Sequence, residues 1–149
     1  MKETVVGSII FRKKNDDWEF LLLKRLPEQG DFWQPPSGSV DEGDKTHLDT
    51  AYREVFEETG IKKEQVLSVI KDLNYYRFDK KSSTGETVDF EAYIFAFEVE
   101  PDVIVNIKNN VDLEHDDYKW VSFEEALKLL DWERQKKSFR KLYSLISSI

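Results

Sequence analysis

The sequence predicts an α+β fold formed by one domain. Five segments rich in β-branched or aromatic residues predict strands, and three segments with helical spacing of apolar residues predict helices. The chain has 149 residues, which is the length of one ordinary domain. Hydrophobic residues make up 40% of it and aromatic residues 13%, enough for one substantial core. We therefore expect residues 1–149 to form a single domain.

The predicted strands are separated by turn signals along the chain. They cover residues 4–12, 18–25, 66–78, 87–99 and 118–122. Asn-Asp-Asp at 15–17 is a turn signal between the first two, so we expect them to form a hairpin. A polar loop, 79–86, joins the two long strands. Residues 32–44 contain two prolines and two glycines, which favours short strands and turns over one long element.

The best-defined predicted helix covers residues 46–59. Its apolar residues have the i, i+3, i+4, i+7 spacing of one helix face: Leu48, Ala51, Tyr52 and Val55. Thr46 is a suitable N-cap with Asp49 three residues later, close to a capping box, and Gly60 suits the position after the last turn. Two further helices are expected near the C-terminus: 123–132 and 134–146.

Three glutamates share one face of this helix, within the segment REVFEETG. Glu54, Glu57 and Glu58 cover an arc of about 100°, on roughly the opposite side from the apolar face. Like charges at these spacings cost a helix roughly 0.2–0.5 kcal/mol per pair. The cluster is therefore either a solvated acidic surface or a site for a cation that offsets the repulsion. Clustered carboxylates suit Mg²⁺ or Mn²⁺ better than zinc, and a glutamate left free of metal can act as a general base.

Charge and composition exclude several classes of function. The net charge of −8 argues against a broad nucleic-acid-binding surface, so we expect no nucleic-acid partner, although a local patch or a metal can bind a small phosphorylated ligand. The absence of cysteine excludes disulfides and thiolate metal sites. The chain has neither a signal-peptide pattern nor an apolar run of roughly 20 residues. We therefore expect a soluble, cytoplasmic protein with no membrane partner.

The acidic helix is part of a longer pattern. Residues 38–61, GSVDEGDKTHLDTAYREVFEETGI, resemble the Nudix box, G-x5-E-x7-R-E-U-x-E-E-x-G-U, where U is aliphatic. The matching residues are Gly38, Arg53, Glu54, Val55, Glu57, Glu58, Gly60 and Ile61. The predicted elements on both sides also fit a Nudix domain, so the resemblance covers nearly the whole chain. It implies a mixed β-sheet sandwiched between α-helices, and a Mg²⁺- or Mn²⁺-dependent enzyme that hydrolyses a phosphoanhydride bond.

Two departures from the box concern its first acidic position. Asp44 stands where the box has glutamate, and eight residues instead of seven separate it from Arg53. An extra residue inside the helix would rotate its faces by about 100°, whereas one in the loop between Asp44 and Thr46 would be harmless. Since the helical spacing is regular from Leu48 to Val55, we place the extra residue in the loop.

The resemblance also implies roles for residues of the box. The glutamates Glu54, Glu57 and Glu58 would be metal ligands, and Glu57 or Glu58 would also serve as the general base. Arg53 would orient these carboxylates by charge-assisted hydrogen bonds. The carbonyl of Gly38 would add a further metal ligand.

A second segment adds one more acidic residue. Residues 113–127, LEHDDYKWVSFEEAL, resemble an E-H-x-x-Y-[KR]-W segment of two Nudix subfamilies. There Glu114 would be a metal ligand or the general base. We expect its neighbour His115 to be a structural or substrate-contacting residue rather than a metal ligand.

The flanks of the box are similar to the same two subfamilies. Residues 31–43, DFWQPPSGSVDEG, share FWQ and GSV with dihydroneopterin triphosphate and dATP pyrophosphohydrolases. They share paired prolines with diadenosine tetraphosphate hydrolases, although Ser37 stands where those have lysine. Residues 131–139 resemble a W-x-N-[RK] segment of the first subfamily, with Arg134 in place of the asparagine.

These likenesses imply a pyrophosphohydrolase of a nucleoside triphosphate or a pterin triphosphate, in which water attacks phosphorus. One alternative is an asymmetric dinucleoside tetraphosphate hydrolase. Another is a non-catalytic Nudix-fold sensor that binds a nucleotide without cleaving it.

Substrate contacts are predicted from chemistry. A nucleobase or pterin needs an aromatic surface to stack on, although most aromatic residues of such a domain belong to its core. The candidates are Trp33, Tyr75, Tyr76, Phe90 and Tyr93, and among them we expect Trp33, Tyr76 and Tyr93 to contact the substrate. Arg25 is preferred over Lys24 as the phosphate contact because a guanidinium binds two phosphate oxygens at once. The expected partner is a small nucleotide or pterin phosphate, and the chain is expected to be a monomer or a homodimer.

Overall fold

The computed structural model describes residues 2–108 and 113–147; Met1 and residues 109–112, 148 and 149 of the predicted domain lie outside the described residues. The strands are β1 (Lys2–Lys14), β2 (Asp17–Arg25), β3 (Trp33–Gln34), β4 (Ser37–Ser39), β5 (Val66–Lys81), β6 (Thr87–Val99) and β7 (His115–Val121). The helices are α1 (His47–Thr59), α2 (Phe123–Leu129) and α3 (Glu133–Ile146), with 3₁₀ turns at Pro27–Gln29 and Lys63–Gln65. Within the described ranges, no helix is long and apolar enough to span a bilayer.

These strands form one mixed sheet. Its order is β3-β2-β1-β6-β5, with β4 also paired to β1 and β7 also paired to β2. Strands β1 and β6 run parallel, and the other pairings are antiparallel. The predicted hairpin is confirmed as β1–β2, which turns at Asn15 and Asp16, both with positive φ. Strand β7 begins at His115, three residues before the predicted start, because its pairing with β2 extends as far as Arg25.

Helices cover both faces of the sheet. On one face, Ala51 and Val55 of α1 pack against apolar side chains of β1, β2 and β6. On the other, Phe139 and Leu142 of α3, with α2 beside them, pack against the opposite sides of the same strands. Alternate residues of each strand therefore enter two separate cores, as a sheet buried on both faces requires. The mixed sheet sandwiched between helices is confirmed.

Helix α1 begins and ends where the sequence predicts. Thr46 and Asp49 form a capping box, and Gly60 has the left-handed conformation, with φ of 76°. The helix is unbroken from His47 to Thr59, so it contains all of the segment REVFEET. Lys45, the one residue between Asp44 and the N-cap Thr46, lies in the loop, where the extra residue is predicted.

Candidate functional site

Three parts of the chain bring their polar residues together at one end of the sheet. Strand β4, which pairs with β1, places Gly38 directly against α1. Helix α1 supplies Glu54 and Glu58. Strand β7 begins beside the end of β2, where His115 pairs with Arg25. Glu114 directly precedes His115 and therefore lies at the same place. The sheet pairings thus join residues that are more than 50 positions apart in sequence.

Glu58 is the most buried of the three helix glutamates. The residue is only 1% exposed, and neither of its side-chain oxygens has a hydrogen-bond partner among the described residues. Burial raises the pKa of Glu58 well above its usual value, and the charges of Glu54 and Glu114 raise it further. A buried carboxylate without donors is costly, so this position fits a bound cation.

The burial of Glu58 corrects one expectation. The helical spacing predicts all three glutamates on the side of α1 opposite its apolar face, but Glu58 lies only about 40° around the helix from Glu54, toward Ala51. Glu58 therefore faces the junction between the helix and the sheet and is shielded with Ala51 and Val55. Only Glu57, whose side chain is 40% exposed, faces solvent to a large extent.

Glu58, Glu114 and His115 form a compact group of possible metal ligands. One ligand atom from each lies within 4.8 Å of the others. His115 Nε2 is 3.7 Å from Glu58 Oε1 and 3.1 Å from Gln34 Nε2. Burial lowers the pKa of His115 to about 4, and the charge of Arg25 contributes to this. Its imidazole is therefore neutral at physiological pH and cannot neutralise Glu58, and its Nε2 accepts a hydrogen bond from the Gln34 amide.

Gly38 lies in direct contact with Glu54. A Cβ atom at position 38 would be 2.1 Å from Glu54 Cδ, closer than any real contact. Gly38 does not have a positive φ, unlike Gly60. The requirement for glycine at position 38 therefore comes from the close approach of Glu54, whereas at Gly60 it comes from the turn.

Arg53 links several carboxylates around the site. Its guanidinium lies 2.9 Å from Glu54 Oε1, 3.3 Å from Glu57 Oε2 and 2.8 Å from Asp44 Oδ2, and it also donates to the carbonyl of Ser39 at 2.9 Å. The contacts to Glu54 and Glu57 are those expected of a residue that orients carboxylates.

Among Asp44, Glu54 and Glu57, Asp44 makes the shortest contact with Arg53. Its hydrogen bonds from Arg53, and then from the backbone of Asp41, hold the pKa of Asp44 well below its usual value. Thr50 also donates to Asp44, at 2.9 Å. Asp44 therefore binds Arg53 despite its shorter side chain and the extra residue that follows it.

A cavity of about 390 Å³ opens beside this group. Its lining includes Ser37 and Gly38 near the acidic group and two of the four predicted substrate residues, Arg25 and Tyr76. Such a volume lies toward the lower end of the range for small-molecule sites, roughly 300–1,000 Å³. Arg25 pairs with Glu114 at 3.2 Å, while its buried Nε has no partner among the described residues.

The other two predicted substrate residues lie elsewhere. Trp33 is not part of the cavity lining and packs against the core beneath α2 and α3. Tyr93 lies on the opposite face of the sheet, with its ring centroid 4.1 Å from that of His47 in α1. The structure thus brings Arg25 and Tyr76 to the cavity but not Trp33 or Tyr93.

Three aromatic residues of the lining are not among the candidates that the sequence offers: Phe32, Phe78 and Trp132. The rings of Phe32 and Trp132 meet edge to face with centroids 4.7 Å apart, and those of Phe78 and Phe90 stack at 5.0 Å. Phe78 could have been found, because it lies two residues after Tyr76 and so shares its face of β5. Phe32 and Trp132 lie about 100 residues apart, and nothing local indicates that they meet.

Comparison with known proteins identifies the family. The NUDIX domain model matches residues 1–142. The chain is 31% identical to the bis(5'-nucleosyl)-tetraphosphatase [asymmetrical] of Mus musculus, covering 95% of this chain and 94% of that protein. It is 28% identical to the RNA pyrophosphohydrolase of Bartonella bacilliformis, covering 80% and 76%.

Solved structures agree with this assignment. The C. elegans Ap4A hydrolase binary complex has a TM-score of 0.76 at 28% identity, covering 99% of both chains. The E. coli dihydroneopterin triphosphate pyrophosphohydrolase has a TM-score of 0.75 at 25% identity, covering 93% of this chain and 92% of that one. The predicted family and enzyme class are thereby confirmed: the chain belongs to the Nudix family and is a Nudix-type hydrolase.

Proposed function

We propose that this chain, as one Nudix domain over residues 1–149, is a metal-dependent pyrophosphohydrolase that cleaves a phosphoanhydride bond of a nucleoside triphosphate or a pterin triphosphate. One observation carries the proposal: the buried carboxylate of Glu58, which has no hydrogen-bond partner among residues 2–108 and 113–147, lies beside a cavity whose lining combines aromatic rings with arginines. The acidic group suits a cation, the rings suit a planar base, and the arginines suit phosphates.

The metal would be Mg²⁺ or Mn²⁺. Its ligands would be Glu54, Glu58, Glu114 and the carbonyl of Gly38, while His115, whose Nε2 is engaged by Gln34, has a structural role beside them. Oxygen-rich sites of this kind suit these ions. When bound, the ion supplies electrostatic stabilisation of the negative charge on the phosphates.

Glu57 is the carboxylate of α1 best placed to act as the general base. It lies outside the compact group of Glu58, Glu114 and His115, and more of its side chain is exposed than that of Glu54. Arg53 fixes its position. A carboxylate that is fixed but not bound to metal remains free to accept a proton from the attacking water.

Arg25 and Tyr76 are the proposed substrate contacts. Arg25 lies between the acidic group and the cavity, and its buried Nε lacks a partner among the described residues, so it can donate to a phosphate oxygen. Tyr76 offers a ring on the cavity wall. Because Trp33 and Tyr93 do not line the cavity, we assign them no substrate contact.

Asymmetric cleavage of a dinucleoside tetraphosphate is the second candidate. It is favoured by the relatives of mouse, rat and pig, which are named as asymmetrical tetraphosphatases and are 31–32% identical over nearly the whole chain. The two reactions differ in their products, so one assay separates them.

The test is product analysis with Mg²⁺ and an equal mixture of dATP, dihydroneopterin triphosphate and diadenosine tetraphosphate. Pyrophosphate with a monophosphate supports the first candidate, and ATP with AMP supports the second. Glu58→Gln is the control, because it keeps the side-chain size and removes the charge, and it should lower kcat by at least about 100-fold. If kcat instead stays within about two-fold, the site assignment is wrong.

Two further assays complete this test. If calorimetry shows that substrate binds but no product forms after hours, the chain is a sensor and the proposed hydrolase activity is wrong.

We propose a small-molecule substrate, a cytoplasmic location and a monomer or homodimer. A 5′-triphosphorylated RNA, included because relatives are named RNA pyrophosphohydrolases, should be a poorer substrate than the free nucleotides, as the net charge of −8 suggests.

A further inference from the structure

Arg134 is held between aromatic rings in the lining of the cavity. Its guanidinium carbon lies 4.1 Å from the centroid of Phe78 and 5.2 Å from that of Trp132. These rings, with Phe32 and Phe90, define the aromatic end of the cavity. Stacking against rings restrains the plane of a guanidinium, so Arg134 presents its N–H groups in a fixed direction.

Most of the donors of Arg134 are available to a ligand. No carboxylate lies within 4.0 Å of its guanidinium among residues 2–108 and 113–147. The Tyr76 hydroxyl is its polar neighbour, and the two interact electrostatically. Arginine has five N–H donors and no acceptor, so this neighbour leaves donors unused.

The next residue offers the complementary group. Gln135 also lines the cavity, and its side-chain Oε1 is buried without a hydrogen-bond partner among the described residues. A buried acceptor left unpaired is destabilising. The aromatic end of the cavity therefore contains unused donors on Arg134, and the side chain of Gln135 beside them has an acceptor that is unpaired among the described residues but closed to solvent.

We propose that Arg134 and Gln135 select a base with a lactam edge, in which a carbonyl oxygen stands next to a ring N–H. Guanine, hypoxanthine and 4-oxopterin have this edge. Arg134 donates to the carbonyl oxygen, and the side chain of Gln135 turns toward the ligand so that its Oε1 accepts the ring N–H. This inference rests on the proposed function, since it places the base at the aromatic end while the phosphates reach Arg25 and the acidic group.

Adenine is disfavoured by the same groups. In the pose that suits guanine, its amino group would meet the donors of Arg134, and its bare ring nitrogen would meet the acceptor of Gln135. Arginine is a usual partner of the guanine O6 acceptor, and a good pair of hydrogen bonds to a base edge discriminates between bases by about ten-fold or more. Arg134 and Gln135 are thus specificity-determining residues.

The test is calorimetric titration of the protein with GMP, IMP and AMP. These monophosphates have no anhydride bond, so base recognition is measured apart from hydrolysis. GMP should bind at least about ten-fold more tightly than AMP. IMP should behave like GMP, because it has the lactam edge without the 2-amino group.

Two variants and one control locate the selectivity. Arg134→Gln and Gln135→Leu should each bring the GMP to AMP affinity ratio toward one. Lys137→Gln is the matched control, because it lies on the same helix, is exposed and does not line the cavity; it should keep the ratio of the unmodified protein.

Other outcomes overturn the inference. These are equal or tighter binding of AMP by the unmodified protein, IMP that behaves like AMP, undetectable binding of all three, or equal loss of GMP and AMP affinity in both variants. Hydrolysis of GTP and ATP, measured in parallel, tests the proposed function separately. Base selectivity without hydrolysis would contradict only the proposed function. Hydrolysis without base selectivity would contradict only the proposed role of Arg134 and Gln135.

Discussion

Asp44 and Arg53 form the contact that fastens the loop before α1 to the helix itself. Arg53 donates to Asp44 from both Nε and a terminal nitrogen, the latter at 2.8 Å. Asp44 is largely buried, with 6% of its side chain exposed. The same arginine holds Glu54 and Glu57. The loop, the helix and two carboxylates of the site are therefore connected through one side chain.

Replacement of Asp44 by asparagine should destabilise the protein. The substitution keeps the shape but removes the charge that Arg53 contacts, so the free energy of unfolding should fall by about 1–3 kcal/mol. Urea denaturation measures this. Asp41→Asn is the control, since Asp41 is 68% exposed and contacts Arg53 at 3.4 Å, and its effect should stay below about 1 kcal/mol.

The difference between the unmodified protein and Asp44→Asn should also depend on pH. The pKa of Asp44 is lowered in the folded state, so its stabilising contribution is complete above the ordinary value of 3.8 and is lost as pH falls through the folded-state pKa. A difference in unfolding free energy that grows on acidification would contradict this account.

Replacement of Gly38 by alanine should inactivate the enzyme without unfolding it. The added methyl group would displace the carboxylate of Glu54, and a misplacement of about 1 Å can cost roughly 100-fold in rate. Gly43→Ala is the matched control, because a Cβ there meets nothing within 4 Å. Steady-state kinetics and circular dichroism of both variants check the prediction, which fails if the two variants have the same activity.

Replacement of Glu58 by glutamine should stabilise the metal-free protein at high pH. The pKa of Glu58 is raised in the folded state, so above its ordinary value of 4.5 the unfolded state loses its proton first, and stability falls as pH rises toward the folded-state pKa. Glutamine cannot ionise. In EDTA, the Tm of Glu58→Gln relative to the unmodified protein should therefore rise from pH 5 to pH 8.

Addition of Mg²⁺ should stabilise the unmodified protein more than Glu58→Gln. An ion that binds the native state raises its stability by mass action, and the variant has lost a ligand. Melting curves at pH 8 with and without Mg²⁺ should show a larger increase in Tm for the unmodified protein. Equal increases would show that Glu58 does not bind the ion.

Replacement of Arg25 by glutamine should weaken substrate binding. Loss of a charge-assisted bond to phosphate should raise KM about ten-fold. Lys24→Gln is the control; Lys24 pairs instead with Asp31 at 3.3 Å, and does not line the cavity. Initial-rate kinetics over a range of substrate concentrations measure both, and a larger effect from Lys24 would reverse the assignment.

The ends of α1 and the box it carries could be predicted from sequence because their causes are local. The capping box of Thr46 and Asp49 and the left-handed Gly60 depend on residues a few positions apart. The burial of Glu58 was misjudged because the helical wheel gives an angle and not the position of the sheet. What buries Glu58 includes His115, 57 positions later.

The cavity could not be predicted for the same reason. Tyr76 lies on the long strand β5, and Tyr93 lies on its neighbour β6. The residue of β5 that pairs with Tyr93 is Tyr75, one position before Tyr76. Neighbouring positions point to opposite faces, so one faces the cavity and the other faces α1. Only the packing of α3, which brings Trp132 and Arg134 over β5, determines which face holds the cavity.

The parallel pairing of β1 with β6 determines when the site can form during synthesis. Lys2 pairs with Asp89, and Phe11 pairs with Glu98. Each paired residue of the first strand to leave the ribosome must therefore wait for 87 further residues before its partner in β6 is made. Contacts between such distant residues form slowly. Glu114 and His115 emerge later still, so the acidic group gains its last members only after the rest of the sheet has been made.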